Sequence, residues 1–230
     1  ISGTSSVFLD IDLSAPSNPA SDTHLADALA EAGGKVILPV FKQAEGVGQH
    51  SEAVVENLPL KLFRDHTWLA SVNVTPGPDG RLWSYPWGQV IDGGQVGSAG
   101  AVIAGRLGPL DADFGVNYAI TPSSVPTISA IDVLKGRLDR HSIEGRSVVV
   151  GAYASELGDY VAVPVYGVVP GPLLHVLAAE TLIADAALVP LEKTPPFLAV
   201  AALAFALALS PLGRRPILLA GTLGDRKSTR

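Results

Sequence analysis

The sequence contains no cysteine and no methionine among its 230 residues. Without cysteine the chain forms no disulfide, builds no zinc–thiolate site and offers no thiol nucleophile. Methionine is absent even at position 1, so we expect the chain to be a piece of a longer protein.

Charged residues are also scarce, at 17% of the chain, and the formal net charge is −6. This balance excludes nucleic acid as an expected partner, because phosphate binding requires clustered Lys and Arg. The mean hydropathy is +0.34, which is high for a soluble domain and predicts a membrane segment.

The N-terminal part has the pattern of a strand–helix–strand unit. Residues 5–13 have a strand's composition, residues 21–34 have apolar side chains at helical spacing, and residues 35–40 form a short apolar run. Ser21 or Asp22 is the expected helix cap. Such units normally lay their two strands parallel.

Further elements are predicted downstream. Residues 68–88 have a turn signal between two strand-like runs and predict a hairpin. The valine-rich strand 146–152 is expected to be buried on both sides, and the helix 172–188 is expected to be covered on most sides. We therefore predict an α/β domain over residues 1–191, with a mixed, partly parallel sheet flanked by helices.

The C-terminal part is apolar. Residues 195–213 carry no charge, Arg214 and Arg215 follow, and a second apolar run occupies residues 216–224. A membrane-spanning helix needs ~20 apolar residues, so this pattern predicts one span and the start of another, with the basic turn in the cytoplasm. Residues 1–191 are then extracytoplasmic, on a protein of the cell membrane. The alternative is a buried core helix with a basic end.

Asp10 and Asp12 stand two residues apart at the end of the first predicted strand. On a strand they would point the same way, at the edge where α/β sheets usually bind ligands. The pair is a candidate for binding Mg²⁺ or Ca²⁺. The alternative is a solvated strand end, and with no third carboxylate nearby we predict no metal site.

The stretch 151–175 follows a predicted strand and leads into a helix, as phosphate-binding loops do. It lacks the lysine of a P-loop and the glycine spacing of a dinucleotide fingerprint, so we predict no nucleotide cofactor. Asp159 and His175 remain as polar candidates that face each other across the loop, but no complete catalytic set emerges. The alternative for His175 is a structural histidine.

Trp83, Tyr85 and Trp87 alternate along one strand-like segment and are expected to share a face. Two interpretations stay open for this face. It is either a packed sheet face or a surface that stacks a ligand or partner.

Three segments, in order, resemble the CHASE2 family of bacterial sensory domains. They are VFLDIDLSAPSNPASDTHLADAL, FGVNYAITPSSVPTISAIDVLKGRL and IEGRSVVVGAYASELGDYVAVPVYGVVPGPLLHVLAAETLI. The second carries the family's Asn-Tyr pair at Asn117. The third carries its Gly-Asp pair at Gly158 and Asp159, and its helix histidine at His175. Val163 stands where the family usually has threonine.

The resemblance implies an extracytoplasmic sensory domain that binds an unknown small-molecule cue and signals through membrane helices to a cytoplasmic output module. In the family such modules resemble nucleotide cyclases or protein kinases, and none lies in this chain. The chain itself is then not an enzyme, needs no cofactor and forms a homodimer. The candidate ligand-binding residues are Asp10, Asp12, Asn117, Gly158, Asp159 and His175. Two alternatives remain, namely a membrane-tethered hydrolase and a dimerisation domain without a ligand.

Overall fold

The computed structural model describes residues 3–44, 54–154, 158–189 and 194–209. The chain divides into two units, Ile1–Val189 and Pro190–Arg230. The strands of the first unit are β1 (Ser6–Asp10), β2 (Val36–Ala44), β3 (Val54–Asn57), β4 (Trp68–Ser71), β5 (Ser84–Pro86), β6 (Gly88–Ile91), β7 (Gly94–Gly97), β8 (Asp113–Gly115), β9 (Ser147–Gly151), β10 (Tyr160–Val163) and β11 (Gly167–Pro170). Its α-helices are α1 (Pro19–Glu31), α2 (Lys61–Arg64), α3 (Ala99–Ile103), α4 (Ala130–Leu134) and α5 (Gly171–Ile183).

The central sheet is mixed and mostly parallel. Four parallel strands lie side by side in the order β4–β2–β1–β9, and the second half of β2 pairs with β3 in the antiparallel sense. The predicted β1–α1–β2 unit with parallel strands is therefore confirmed. The mixed, partly parallel sheet flanked by helices is confirmed with it.

The cap of α1 differs from the prediction. The side-chain oxygen of Asn18 accepts hydrogen bonds from the amides of Ala20 and Ser21, at 3.0 and 3.4 Å. Ser21 and Asp22 lie inside the helix, and the Asp22 carboxylate instead accepts from the backbone amide of Ser17 at 3.0 Å. The expected cap was wrong because the helix begins at a proline two residues earlier, where proline's missing amide costs nothing.

Helices cover both faces of the sheet. One face packs against α1 and α2, and the other packs against α3 and α5. The buried side chains of the first cluster are Ala26, Leu29, Val36, Leu38 and Phe63. Those of the second are Phe8, Ile37, Ala70, Ala99, Ile103 and Ala179. Alternation along β1 and β2 sends Phe8 and Ile37 to the face opposite Val36 and Leu38, as the two-residue period of a strand requires.

The hairpin predicted over residues 68–88 is wrong. β4 pairs with β2 in the sheet, and β5 pairs with β8, Tyr85 lying opposite Phe114. The turn between them is real, with Gly80 at φ 76°, but a turn signal does not identify strand partners. Two hairpins that the sequence pattern did not predict, β6–β7 and β10–β11, are present in this unit.

β9 is less buried than its valines predict. Val148 and Val149 are half-buried and Val150 is 36% exposed. Among the described strands β9 pairs with β1 alone, so it lies at a sheet edge. A run of β-branched residues indicates a strand but does not tell a central strand from an edge strand.

α5 is covered on most sides, as predicted. Ten of its 13 residues are buried, and Pro172 lies in its first turn. The helix ends at Ile183, and Asp185 beyond it adopts φ 52°. α5 is therefore shorter than the predicted helix 172–188. Its inner side chains join a cluster with Tyr85 of β5, Phe114 of β8 and Val163 of β10.

The second unit contains α6 (Thr194–Leu209), a helix of 16 residues. Its described large side chains are exposed, Phe197 for example by 72%. Within the described residues, no helix combines the length and the apolar character that crossing a membrane demands. Residues 210–213 of the first predicted span, and the second predicted span at 216–224, lie outside the described residues.

Candidate functional site

Asp10 is the last residue of β1, at the carboxyl edge of the parallel strands. It lies beside Gly151, the last residue of β9. A Cβ atom on Gly151 would lie 2.4 Å from Cγ of Pro172 and 3.2 Å from Cβ of Asp10. Glycine at this position therefore lets the first turn of α5 lie directly against the ends of both strands. Carboxyl edges of this kind are where α/β sheets usually bind ligands.

His175 faces this edge from α5. The residue is only 5% exposed, and its Nδ1 lies 2.6 Å from the hydroxyl of Tyr85. Its Nε2 lies 3.5 Å from Oδ2 of Asp10. The rings of His175 and Phe8 pack in a T-shaped arrangement, with the ring centroids 5.8 Å apart. His175 thus connects β1, β5 and the helix that carries it.

Asp159 completes the cluster at the start of α5. Its carbonyl accepts a hydrogen bond from the Gly171 amide at 3.0 Å. Its carboxylate lies over Gly171, where an added Cβ would be 2.4 Å from Oδ1. The free amides of a helix's first turn favour negative charge nearby. We call Asp10, Asp159, His175 and Tyr85 the polar cluster.

Burial shifts the acid–base behaviour of the polar cluster. It raises the pKa of Asp10 to about 7, and the nearby Asp159 carboxylate contributes to this increase. Burial also raises the pKa of Asp159 and lowers the pKa of His175 to about 4. The pKa of the Tyr85 hydroxyl is raised, again chiefly by burial. The cluster therefore favours neutral forms of its members, since each is partly or wholly removed from water.

The other sequence candidates lie elsewhere or act through the backbone. β1 ends at Asp10, and Asp12 lies beyond it, exposed, where its Oδ1 accepts from the amide of Ser14 at 2.9 Å. The expectation that the two aspartates share a strand is therefore wrong. Gly158, immediately before Asp159, adopts φ 69°, a left-handed conformation that glycine accommodates without strain.

Asn117 follows β8 and contacts a later turn of α5, away from His175. Its backbone amide donates to Oγ1 of Thr181 at 3.1 Å, and its side-chain oxygen accepts from the Ala119 amide at 3.0 Å. Both bonds stabilise the chain after β8. In the part of the chain that the structure describes, no hydrogen bond or ion pair connects Asn117 with the polar cluster.

Tyr85 is the member of the cluster that sequence reasoning missed. The alternating aromatic residues were recognised, but their shared face does not distinguish a packed tyrosine from a functional one. Tyr85 is fully buried, Trp87 packs on Phe114 with ring centroids 4.9 Å apart, and Trp83 is 53% exposed. The packed interpretation is therefore correct for Tyr85 and Trp87. A buried tyrosine hydroxyl needs a hydrogen-bond partner, and that requirement was the available signal.

The polar cluster combines two carboxyl groups, an imidazole and a phenol hydroxyl. In residues 3–44, 54–154, 158–189 and 194–209, no three His, Asp or Glu side chains are grouped to hold a metal ion. Two open depressions, of about 320 and 260 Å³, lie around Gly34 and Trp68. They border the first residues of β1 and β4, and none of the polar cluster lines them.

Comparison with known proteins adds one finding. The family model described as "CHASE2 domain" matches residues 2–213. No curated protein and no solved structure matches the chain.

Proposed function

The chain belongs to the CHASE2 family, and we propose that residues 1–191 form the sensory input domain of a bacterial transmembrane signalling protein. The members of this family are extracytoplasmic sensory domains of signalling proteins. A small-molecule cue binds the domain outside the cytoplasm. The resulting movement passes through C-terminal membrane helices to an output module beyond this chain, such as a nucleotide cyclase or a kinase.

One observation indicates which residues form the proposed binding site. Asp10 lies at the end of β1, and Asp159, just before β10, lies against the start of α5. His175, on α5, faces Asp10 at this edge of the sheet. A cue that contacts both carboxyl groups would contact the end of β1 and the segment that is hydrogen-bonded to the start of α5. It would signal by binding two arrangements of these elements with different affinity. α5 is the last helix before α6 in the chain.

Thermal unfolding of the whole chain with a panel of small metabolites tests this site. A cue at 100 times its dissociation constant stabilises the folded state by about 2.7 kcal/mol. We expect this stabilisation to disappear in Asp10→Asn and Asp159→Asn. Asp12→Asn is the matched control, because Asp12 is exposed and lies outside the polar cluster. A cue that stabilises both cluster variants as strongly as the wild type would remove the site from the proposal.

We also propose that residues 195–213 cross the membrane. The proposal rests on the absence of charge in this stretch and on Arg214 and Arg215 after it. The chain contains no cysteine, so single-cysteine variants can be labelled without background. In intact cells, Ser123→Cys should react with a membrane-impermeant maleimide, and Gly213→Cys should react only after lysis. Equal labelling of both variants in intact cells would contradict this topology.

The proposal includes a homodimer, because a two-subunit receptor can pass movement between its subunits. Cross-linking of the membrane-embedded chain through Ser123→Cys and through further single cysteines should give a dimer band at every expression level. A monomer under all conditions would contradict this part alone.

A further inference from the structure

A buried contact fixes the direction of the hydrogen bond that the Tyr85 hydroxyl makes. The side chain is fully buried. Among the described residues, the hydrogen-bond partner of the hydroxyl is Nδ1 of His175, at 2.6 Å.

This arrangement determines which nitrogen of His175 carries a proton. A buried hydroxyl proton needs an acceptor, so the single proton of the Tyr85 hydroxyl is directed to Nδ1 of His175. Nδ1 must then accept, and a neutral imidazole has its one proton on the other nitrogen. Nε2–H therefore faces Oδ2 of Asp10, 3.5 Å away.

A second proton on His175 would break the same pattern. Both ring nitrogens would then donate, and the Tyr85 oxygen would have to accept from Nδ1–H. The tyrosine proton would be left in a buried place without an acceptor, which is unfavourable. The hydrogen bonds thus oppose protonation of His175 independently of its burial.

The titratable groups around His175 are few. Among the described residues they are Asp10 from β1, Tyr85 from β5, and Asp159 from the segment before β10, which acts on Asp10. α3, which also packs against α5, carries no titratable side chain. Asp10 is the nearer of the two carboxyl groups and keeps some exposure, 13% of its side chain, so protons can reach it.

We propose that Tyr85 is a positioning residue: its hydroxyl holds His175 as a neutral imidazole whose Nε2–H faces Asp10. Asp10 is then the group through which protons and ligands change the contact between β1 and α5. The low pKa of His175 and the raised pKa of Asp10 agree with this assignment. An ionised Asp10 accepts from Nε2–H and draws the strand end and the helix together. A protonated Asp10 loses that attraction.

The inference deepens the proposed function, since it assigns roles within the same polar cluster, but its test needs no cue. The whole 230-residue chain, labelled with ¹⁵N-histidine, is titrated in micelles between about pH 5 and pH 8, where an ordinary histidine changes charge. His175→Gln identifies the His175 signals. We expect Nδ1 to show the shift of an unprotonated nitrogen, Nε2 that of a protonated one, and neither to show the change that marks imidazolium formation.

Tyr85→Phe removes the donor to Nδ1. In this variant we expect a mixture of the two tautomers and a titration midpoint moved upward, toward the ordinary histidine range. Tyr118→Phe is the matched control, because Tyr118 is also buried but donates its hydroxyl proton to the carbonyl of Leu82. It should leave the His175 signals unchanged.

Two outcomes would overturn the inference. One is a wild-type His175 that titrates as an ordinary histidine or carries its proton on Nδ1, a result that does not depend on any variant folding. The other is a folded Tyr85→Phe chain whose His175 signals match those of the wild type. If no cue is found, this titration still tests the inference. If a cue binds at Asp10 and His175 carries its proton on Nδ1, the inference is contradicted and the proposed function is not.

Discussion

Asp159 and Gly171 are matched so closely that a methyl group on Gly171 would lie 2.4 Å from Oδ1 of Asp159. The same two residues are joined by a backbone hydrogen bond of 3.0 Å from the Gly171 amide to the Asp159 carbonyl. The carboxylate is thereby held against the start of α5. Asp159 is thus attached to the helix that carries His175, and Asp10 to the sheet.

Gly171→Ala tests this contact. The added methyl group displaces the Asp159 carboxylate, and we expect the free energy of unfolding to fall by about 1 kcal/mol, at the lower end for overpacking because a side chain rather than backbone must move. In an Asp159→Ala background the same substitution should have almost no effect. Denaturant unfolding of the four chains of this double-mutant cycle gives the coupling energy. Equal effects in the two backgrounds would place the carboxylate away from Gly171.

Gly100→Ala tests the packing of α3 on α5. Its Cβ would lie 2.7 Å from Cβ of Ala178 and 3.3 Å from Cε1 of Tyr85. We expect a loss of about 1–3 kcal/mol in the free energy of unfolding, as for other overpacked cores. Gly94→Ala is the control, because its nearest contact, 3.5 Å, is an ordinary van der Waals distance. Equal stability of the two variants would refute the close approach.

The paired titration of Asp10 and His175 gives a prediction about pH. In the unfolded chain, with pKa values of 3.8 and 6.5, the two groups together hold one proton between about pH 4 and 6.5, and it sits on the histidine. In the folded chain the pKa values are about 7 and about 4, so the pair again holds one proton, now on Asp10. Because the folded and the unfolded chain then bind the same number of protons at these two groups, the groups together give the free energy of unfolding no pH dependence in this range.

Removing either group should reveal the pH dependence of the free energy of unfolding that the other group contributes. Asp10→Asn leaves a histidine whose pKa is lowered by folding, so its stability should fall, relative to the wild type, as pH decreases from 6.5 to about 4. His175→Gln leaves an aspartate whose pKa is raised, so its stability should fall as pH increases from 3.8 to about 7. Unfolding free energies measured across this range check both signs. Variant curves parallel to the wild type would show that neither pKa is shifted.

The cap of α1 gives a prediction that separates the structure from the sequence pattern. Asn18→Ala removes the side chain that accepts from two amides of the first turn and should cost about 1 kcal/mol of stability. Ser21→Ala, at a position that the sequence suggested as a cap, should cost nothing, because alanine is a better helix former than serine. Thermal unfolding of both variants decides between the two caps, and the opposite ranking would restore the sequence interpretation.

Several parts of the fold were predictable because local pattern determines them. The apolar spacing of α1, the valines of β9 and the proline at the start of α5 each specify an element on their own. The hairpin over residues 68–88 failed because strand partners are chosen by tertiary contacts. β4 finds its partner in β2, and β5 finds its partner in β8, 29 residues from Ser84 to Asp113 along the chain.

The residues of the candidate site were also predictable only in part. Asp10, Asp159 and His175 were identified from position and family resemblance, and the structure brings them together. Their order was not predictable, since Asp10 rather than Asp159 faces His175. Tyr85 could not be assigned to the site from the sequence, because its hydroxyl meets His175 through a contact between residues 90 positions apart. Asp12 was included because the strand was expected to continue beyond Asp10.

Glu180 is exposed on α5, a helix with ten buried residues. Rolling the helix about its axis would carry this carboxylate toward the core, and burying an unpaired charge is strongly unfavourable. The single charge of α5 therefore opposes rotation of the helix and keeps the face that carries His175 turned toward the sheet.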